Sequence, residues 1–136
     1  MKDGYQKAVI AGAVAGVVGG IVAVIFGAIG LSIGLYQAGP VPMANTVAAI
    51  IVLTIIFGAI FGAIYSKLYD SLPGVGILKG LYFGLLLLLI KDIMNGLYIV
   101  FTTANVNYVI GSIWIGIFLH PVFGSVLGAL YRKPSD

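Results

Sequence analysis

Residues 57–67 read FGAIFGAIYSK, an apolar run in which Gly58 and Gly62 lie four positions apart and a tyrosine and a lysine close the stretch. The same pattern returns 66 residues later as FGSVLGALYRK at 123–133, with six of the eleven positions identical. Tyrosine and basic residues are typical of the ends of membrane helices. Both runs therefore predict helices that finish at the same membrane surface.

The two runs divide the chain into halves of about 1–70 and 71–136. A weaker match links the first helix of each half, through Gly12 and Gly16 in one and Gly80 and Gly84 in the other. The pattern favours two repeated helical hairpins, related by an axis along the membrane normal. The alternative is that glycine-rich apolar helices resemble one another by composition alone.

The composition predicts an integral membrane protein. Hydrophobic side chains make up 61% of the 136 residues and charged ones 8%, against about 25% charged in a soluble domain. The mean hydropathy is +1.17. These values exclude a soluble, disordered or nucleic-acid-binding protein, and we expect the lipid bilayer to surround the chain.

Four apolar stretches are long enough to span a membrane, which takes about 20 residues each. They cover about 8–35, 43–66, 75–101 and 108–131, with short connectors between them. The first is longer than the roughly 7–15 residues of a signal-peptide core, so we expect it to be retained. The predicted fold is a single all-α domain over 1–136, a bundle of four transmembrane helices.

The basic residues predict the orientation of the bundle. Six of the seven Lys and Arg residues lie before the first helix, around the second connector or after the fourth helix, whereas the first and third connectors carry no charge. Cytoplasmic loops of membrane proteins are enriched in Lys and Arg. We therefore expect a multi-pass protein of the cell membrane with both termini in the cytoplasm.

Glycine occurs 20 times and is expected to serve helix packing. Lipid supplies little hydrophobic drive between helices, so small residues that let backbones approach closely are favoured at helix interfaces. In the first helix they form a stripe on one face, and each other helix has one pair. The predicted packing residues are Gly12, Gly16, Gly20, Gly27, Gly30, Gly34, Gly58, Gly62, Gly80, Gly84, Gly124 and Gly128. The long stripe serves either the four helices of one chain or the docking of a second chain.

Four polar residues lie deep in the predicted spans: Lys91, Asp92, Asn95 and His120. Lys91 is roughly 18 Å along its helix from Lys79, and His120 roughly 16 Å from Tyr131. The two helices run in opposite directions, so the polar residues reach similar depths. Asn95 shares a helix face with both Lys91 and Asp92, and His120 is the one titratable partner at this depth for Asp92.

Three interpretations of this polar cluster remain open, because charged groups inside a membrane persist when they are paired or hydrated. In the first, Lys91 reaches the membrane surface and Asp92 pairs locally. In the second, the cluster pairs with a neighbouring subunit and fixes an assembly. In the third, Asp92 and His120 line a path for protons, ions or a small solute.

Known catalytic motifs are missing from the sequence, so we expect neither an enzyme nor a cofactor. A single His and no Cys also argue against a metal site within one chain. The closing stretch from His120 to Tyr131 resembles the His-x-x-Phe-Gly-x-x-x-Gly-x-x-Tyr endings of several small prokaryotic four-helix membrane proteins. This resemblance implies the four-helix topology but no particular activity.

Two functions follow as expectations, beside a third alternative of a membrane enzyme or cofactor-binding protein. The first is a non-catalytic accessory or assembly subunit of a larger respiratory or transport complex, favoured by the near absence of aqueous loops and the abundance of close-packing faces. The alternative is a homo-oligomeric channel or transporter, with the polar cluster beside the path. The expected partners are other membrane subunits or copies of the same chain.

Overall fold

The structure is a computed structural model that describes residues 2–133, and it is all-helical. Four of its helices are long and apolar enough to cross a membrane, so the prediction of a multi-pass membrane protein is supported. The helices are α1 (Lys2–Ser32), α2 (Met43–Leu68), α3 (Gly76–Leu87), α4 (Asn95–Thr103) and α5 (Val106–Leu130). A π-helix, Leu88–Met94, joins α3 to α4, and the three segments form one continuous third span, Gly76–Thr103.

The first helix differs most from its predicted bounds. It begins at Lys2, well before residue 8, and ends at Ser32. Gly34 follows in the connector with a φ of +70°, and a Cβ atom added to it would meet no other atom within 4 Å. Glycine adopts this left-handed conformation without a steric penalty, so Gly34 serves the turn and is not part of the predicted packing stripe.

Backbone-to-backbone contact holds α1 against α2. A Cβ atom added to Gly12 would overlap the carbonyl oxygen of Gly58, and one added to Gly62 would overlap that of Ala8. Gly16 meets the backbone of Thr54 in the same way. Only glycine permits two helices to approach so closely, because any side chain would separate them.

The contact between α3 and α5 has the same character. A Cβ atom on Gly80 would overlap the carbonyl oxygen of Gly124, and one on Gly128 would overlap that of Gly76. Gly84 lies equally close to the carbonyl of His120. The chain thus contains two tightly packed hairpins, α1–α2 and α3–α5.

The seam between the two hairpins, formed by α1 and α5, is made largely by side chains. The rings of Phe26 and Phe118 stack with their centroids 3.7 Å apart, and Trp114 Nε1 donates a hydrogen bond of 2.8 Å to the carbonyl of Phe26. A Cβ atom on Gly19 would be 3.6 Å from Phe123, an ordinary van der Waals distance. The helices therefore follow one another in the order α2, α1, α5, α3.

An aromatic cluster closes the end of the bundle at which α1 begins and α5 ends, called here the terminal end. The Tyr65 ring lies 5.2 Å from Phe83 and 5.9 Å from Tyr131, measured between centroids. Lys79 is buried next to this cluster. Its Nζ donates a 2.7 Å hydrogen bond to the backbone carbonyl of Tyr69 and lies 4.2 Å from the centre of the Tyr69 ring. Tyr65 has no exposed surface, so its ring is enclosed by other parts of the chain near the end of its span, where tyrosine is common.

Candidate functional site

A cleft of about 690 Å³ opens between α2 and the third span. It begins at the connector end, which is opposite the terminal end, where it is lined by Gln37, Pro40 and Asn107. Its floor lies near Phe61 and Phe123, so it extends about 24 Å along α5 at 1.5 Å per residue. Beyond that floor the buried Tyr65 and its aromatic neighbours close the bundle.

Most of the cleft wall is apolar. The side of α2 contributes Leu53, Phe57 and Phe61, and α5 contributes Ile115 and Leu119. Volumes of about 300–1,000 Å³ with mainly hydrophobic walls and a few polar groups are typical of small-molecule sites. The cleft has the size and chemistry of such a site.

The polar groups of the cleft converge on Asp92. Its Oδ2 lies 2.6 Å from Nε2 of His120, and its Oδ1 accepts a 2.9 Å hydrogen bond from the hydroxyl of Ser112. Asp92 and His120 are each 4% exposed. The structure thus brings Asp92 and His120 together, and their pairing offsets the cost of burying an ionisable carboxyl and an imidazole.

Two buried polar atoms of the site make no hydrogen bond to the described residues: Oδ2 of Asp92, which meets Nε2 of His120 as an ion pair, and Nδ1 of His120, which has no partner of either kind. Buried polar atoms normally have a partner, and an exception at a cleft is typical of a site for a ligand, a water molecule or a proton. The pair has the groups required to hold a proton between carboxylate and imidazole or to meet a polar group of a solute.

Lys91 lies at the edge of the site. Its Nζ is 3.8 Å from Oδ1 of Asp92, and half of its side-chain surface is exposed. At that distance the two groups attract each other, but they do not form a hydrogen bond. The positive charge of Lys91 is therefore close enough to act on the carboxylate of Asp92, although half of its side chain lies outside the protein interior.

Asn95 does not join the cluster. It is exposed, whereas Asp92 three residues before it is buried. Regular α-helical turns would place the two on one face, but Asp92 belongs to the π-helix, in which hydrogen bonds link residues five apart. This wider turn changes which residues share a face, and π-helical turns frequently occur at functional sites.

Ser112 and Gly116 belong to the site but were missed in the sequence. They precede His120 at intervals of four residues, which places all three on one side of α5. A Cβ atom on Gly116 would overlap the carboxylate of Asp92, so this glycine makes room for it. The four-residue spacing of Ser112, Gly116 and His120 is the feature of the sequence that could have identified them.

Thr54 lines the opposite wall of the cleft. It precedes His120 by 66 residues, the offset of the predicted repeat, and its hydroxyl donates a 3.0 Å hydrogen bond to the carbonyl of Ile51 within α2. The two hairpins therefore contribute unequally: the ionisable groups that line the depth of the cleft come from the second.

The connector end of the cleft is braced by polar contacts. The Asn107 side chain accepts a 2.8 Å hydrogen bond from the backbone amide of Gln37 and donates one of 3.3 Å to its carbonyl. Tyr36 turns back onto α1, where its hydroxyl donates a 2.7 Å hydrogen bond to the carbonyl of Gly27. Burial raises the pKa of Tyr36 above its usual value.

The remaining glycines predicted for packing contact other helices or the first connector of the same chain. Gly20 meets Thr54 and Ile51, Gly27 lies near Ile115, and Gly30 contacts Trp114. The stripe of α1 is thus covered by α2, α5 and the first connector.

Within residues 2–133 the structure contains no cluster of three or more His, Cys, Asp or Glu side chains suited to a metal ion. The chain matches no protein-family model, and neither curated proteins nor solved structures include a significant match to it.

Proposed function

We propose that this protein is a carrier in the cell membrane that moves a small, mainly apolar solute and exchanges a proton at the Asp92–His120 pair. The observation that carries the proposal is an apolar cleft that runs from the connector end to the aromatic cluster at the terminal end and is lined at depth by this pair. A carrier needs a site that water reaches from one side at a time.

The packing of the hairpins supports a mechanism for this carrier. Backbone contacts at glycine hold the two helices of each hairpin close together, whereas side chains such as Phe26 and Phe118 fill the seam between the hairpins. We propose that the hairpins are structural repeats that rock against each other about this seam. Such rocking of repeats around a central site is the usual basis of alternating access.

The proposed orientation follows from charge. Lys2, Lys7, Arg132 and Lys133 belong to the terminal end by sequence, and positive residues favour the cytoplasmic side. The connector end of the cleft would then face the outside, and the aromatic cluster would lie on the cytoplasmic side.

Cysteine labelling tests the carrier directly, because the sequence contains no cysteine. Thr54→Cys places a thiol in the cleft, and Ile56→Cys, on the exposed face of the same helix, is the control. Both variants are prepared in oriented membrane vesicles and treated with a membrane-impermeant thiol reagent from either face.

We expect Thr54→Cys to react from the connector side, and a fraction to react from the terminal side with a rate that depends on pH. That pH dependence should be lost when Asp92→Asn is added. Labelling of Thr54→Cys from one face only, at every pH, would contradict alternating access.

A second candidate function is the accessory subunit, favoured by the bare surface of α2. Of the four spans, Met43–Ser71 has the smallest buried share, 11%, and Val52, Ile56 and Ile60 are exposed along it. A larger partner would cover this face. Native mass spectrometry of the complex, extracted gently from its own membranes, distinguishes the two: other chains in stable proportion support the subunit, and this chain alone supports the carrier.

A further inference from the structure

A second groove, of about 290 Å³, lies between the beginning of α1 and the end of α5. On α1 it is lined by Lys7, Ile10 and Val14, which are three and four residues apart and so share one face. On the other side it is lined by Leu130 and Arg132. The groove therefore combines two cations with an apolar floor.

This groove is separate from the cleft. The cleft uses Gly16, Gly19 and Ala23 of α1, and at roughly 100° per residue these lie on the opposite side of the helix from Lys7, Ile10 and Val14. The groove thus follows the outer side of the seam between the two hairpins, and its role does not depend on the proposed transport function.

The two cations are available for a ligand. Lys7 and Arg132 are exposed, and neither forms an ion pair with any described residue. The nearby Asp70, by contrast, is already paired with Lys133. Arginine binds phosphate groups through two parallel hydrogen bonds, and lysine acts as a second point of positive charge.

The apolar part of the groove faces the lipid region of the membrane. Ile10 is 64% exposed and Leu130 53% exposed, although both lie inside spans that are apolar enough to cross a bilayer. A ligand that satisfies both parts needs an anionic head at the level of Lys7 and Arg132 and a hydrocarbon chain that continues toward Val14.

We propose that this groove binds an anionic phospholipid, with its phosphate between Lys7 and Arg132 and one acyl chain along Ile10, Val14 and Leu130. Basic pockets between membrane helices bind such head groups. The lipid contacts α1 and α5 together, so it links the two hairpins at their seam.

The test is native mass spectrometry of the full-length protein in detergent, titrated separately with phosphatidylglycerol, phosphatidylcholine and inorganic phosphate. The variants are Lys7→Gln with Arg132→Gln, and Val14→Phe, which fills the apolar floor without changing charge. Lys67→Gln, an exposed cation at the same end but outside the groove, is the control.

We expect one phosphatidylglycerol to bind more tightly than phosphatidylcholine, and affinity to fall about fivefold for each groove cation removed. Val14→Phe should also weaken binding, and Lys67→Gln should leave it unchanged. Equal loss in Lys67→Gln, or full affinity in the double variant, would overturn the proposal. Binding of inorganic phosphate as tight as that of the lipid would show that the acyl chain contributes nothing, and would overturn it as well.

Discussion

The contribution of the Asp92–His120 pair to stability can be measured by removing one partner at a time. In His120→Ala the carboxylate of Asp92 stays buried and loses the imidazole 2.6 Å away, keeping the Ser112 hydroxyl at 2.9 Å. Removing one member of a buried ion pair typically costs about 3–5 kcal/mol. Because Lys91 is half exposed and 3.8 Å away, it can move toward the carboxylate and offset part of the loss.

We therefore expect the free energy of unfolding to fall by about 3 kcal/mol in His120→Ala, at the lower end of that range. Asp92→Asn should cost less, about 1 kcal/mol, because the amide oxygen still accepts a hydrogen bond from Ser112 and no carboxylate remains buried. The more specific prediction is that His120→Ala is less stable than Asp92→Asn, because only His120→Ala leaves a buried carboxylate without its partner.

The assay is reversible unfolding in mixed micelles with increasing denaturing detergent, followed by helical circular dichroism. Asn95→Ala is the matched control: it removes a polar side chain one turn away in the same span, but this side chain is exposed and should cost less than about 0.5 kcal/mol. If His120→Ala were as stable as Asn95→Ala, or if Asp92→Asn were the less stable of the pair, the assigned pairing would be wrong.

Three further predictions concern other parts of the bundle. Gly80→Ala should destabilise the protein by about 2 kcal/mol in the same assay, since its Cβ meets a backbone carbonyl of α5; Gly39→Ala, with open space around it, should change stability little. Tyr36→Phe removes a hydrogen bond to a backbone carbonyl and should cost about 1 kcal/mol, and an unchanged unfolding midpoint would show that the bond is not formed. Burial raises the pKa of Tyr131 above 10.0, and the positive charge of Lys133 opposes this rise. The unfolded chain releases this proton first, so the contribution of Tyr131 to stability should be constant below about pH 10 and decrease as pH rises toward the folded pKa; Tyr131→Phe should remove that part of the decrease.

Much of the fold could be predicted from the sequence because every helix that spans a membrane must have a minimum length and mainly apolar residues. The four apolar stretches led to the correct number of spans, and α2 begins at residue 43 as expected. Lys91, Asp92 and His120 were also identifiable, since ionisable residues are rare in apolar helices. Their common depth followed from 1.5 Å per residue and the opposite directions of the two helices.

Other features depended on tertiary contacts and local backbone geometry. Nothing in residues 88–94 distinguishes a π-helix from an α-helix, yet this segment determines that Asp92 is buried and Asn95 exposed. The sequence also contains no sign that the ring of Tyr65 is enclosed by rings from two other parts of the chain.

The sequence by itself thus determined that the chain has four spans long and apolar enough to cross a membrane, with ionisable groups at mid-depth, because hydropathy and helical rise are local properties. Only the tertiary structure decided that Asp92 meets His120 beside Ser112, and that a cleft separates α2 from the third span. These outcomes depend on how closely pairs of helices approach and how they are rotated. Such distances are set by contacts between residues far apart in the chain, including Gly80 with Gly124 and Gly116 with Asp92.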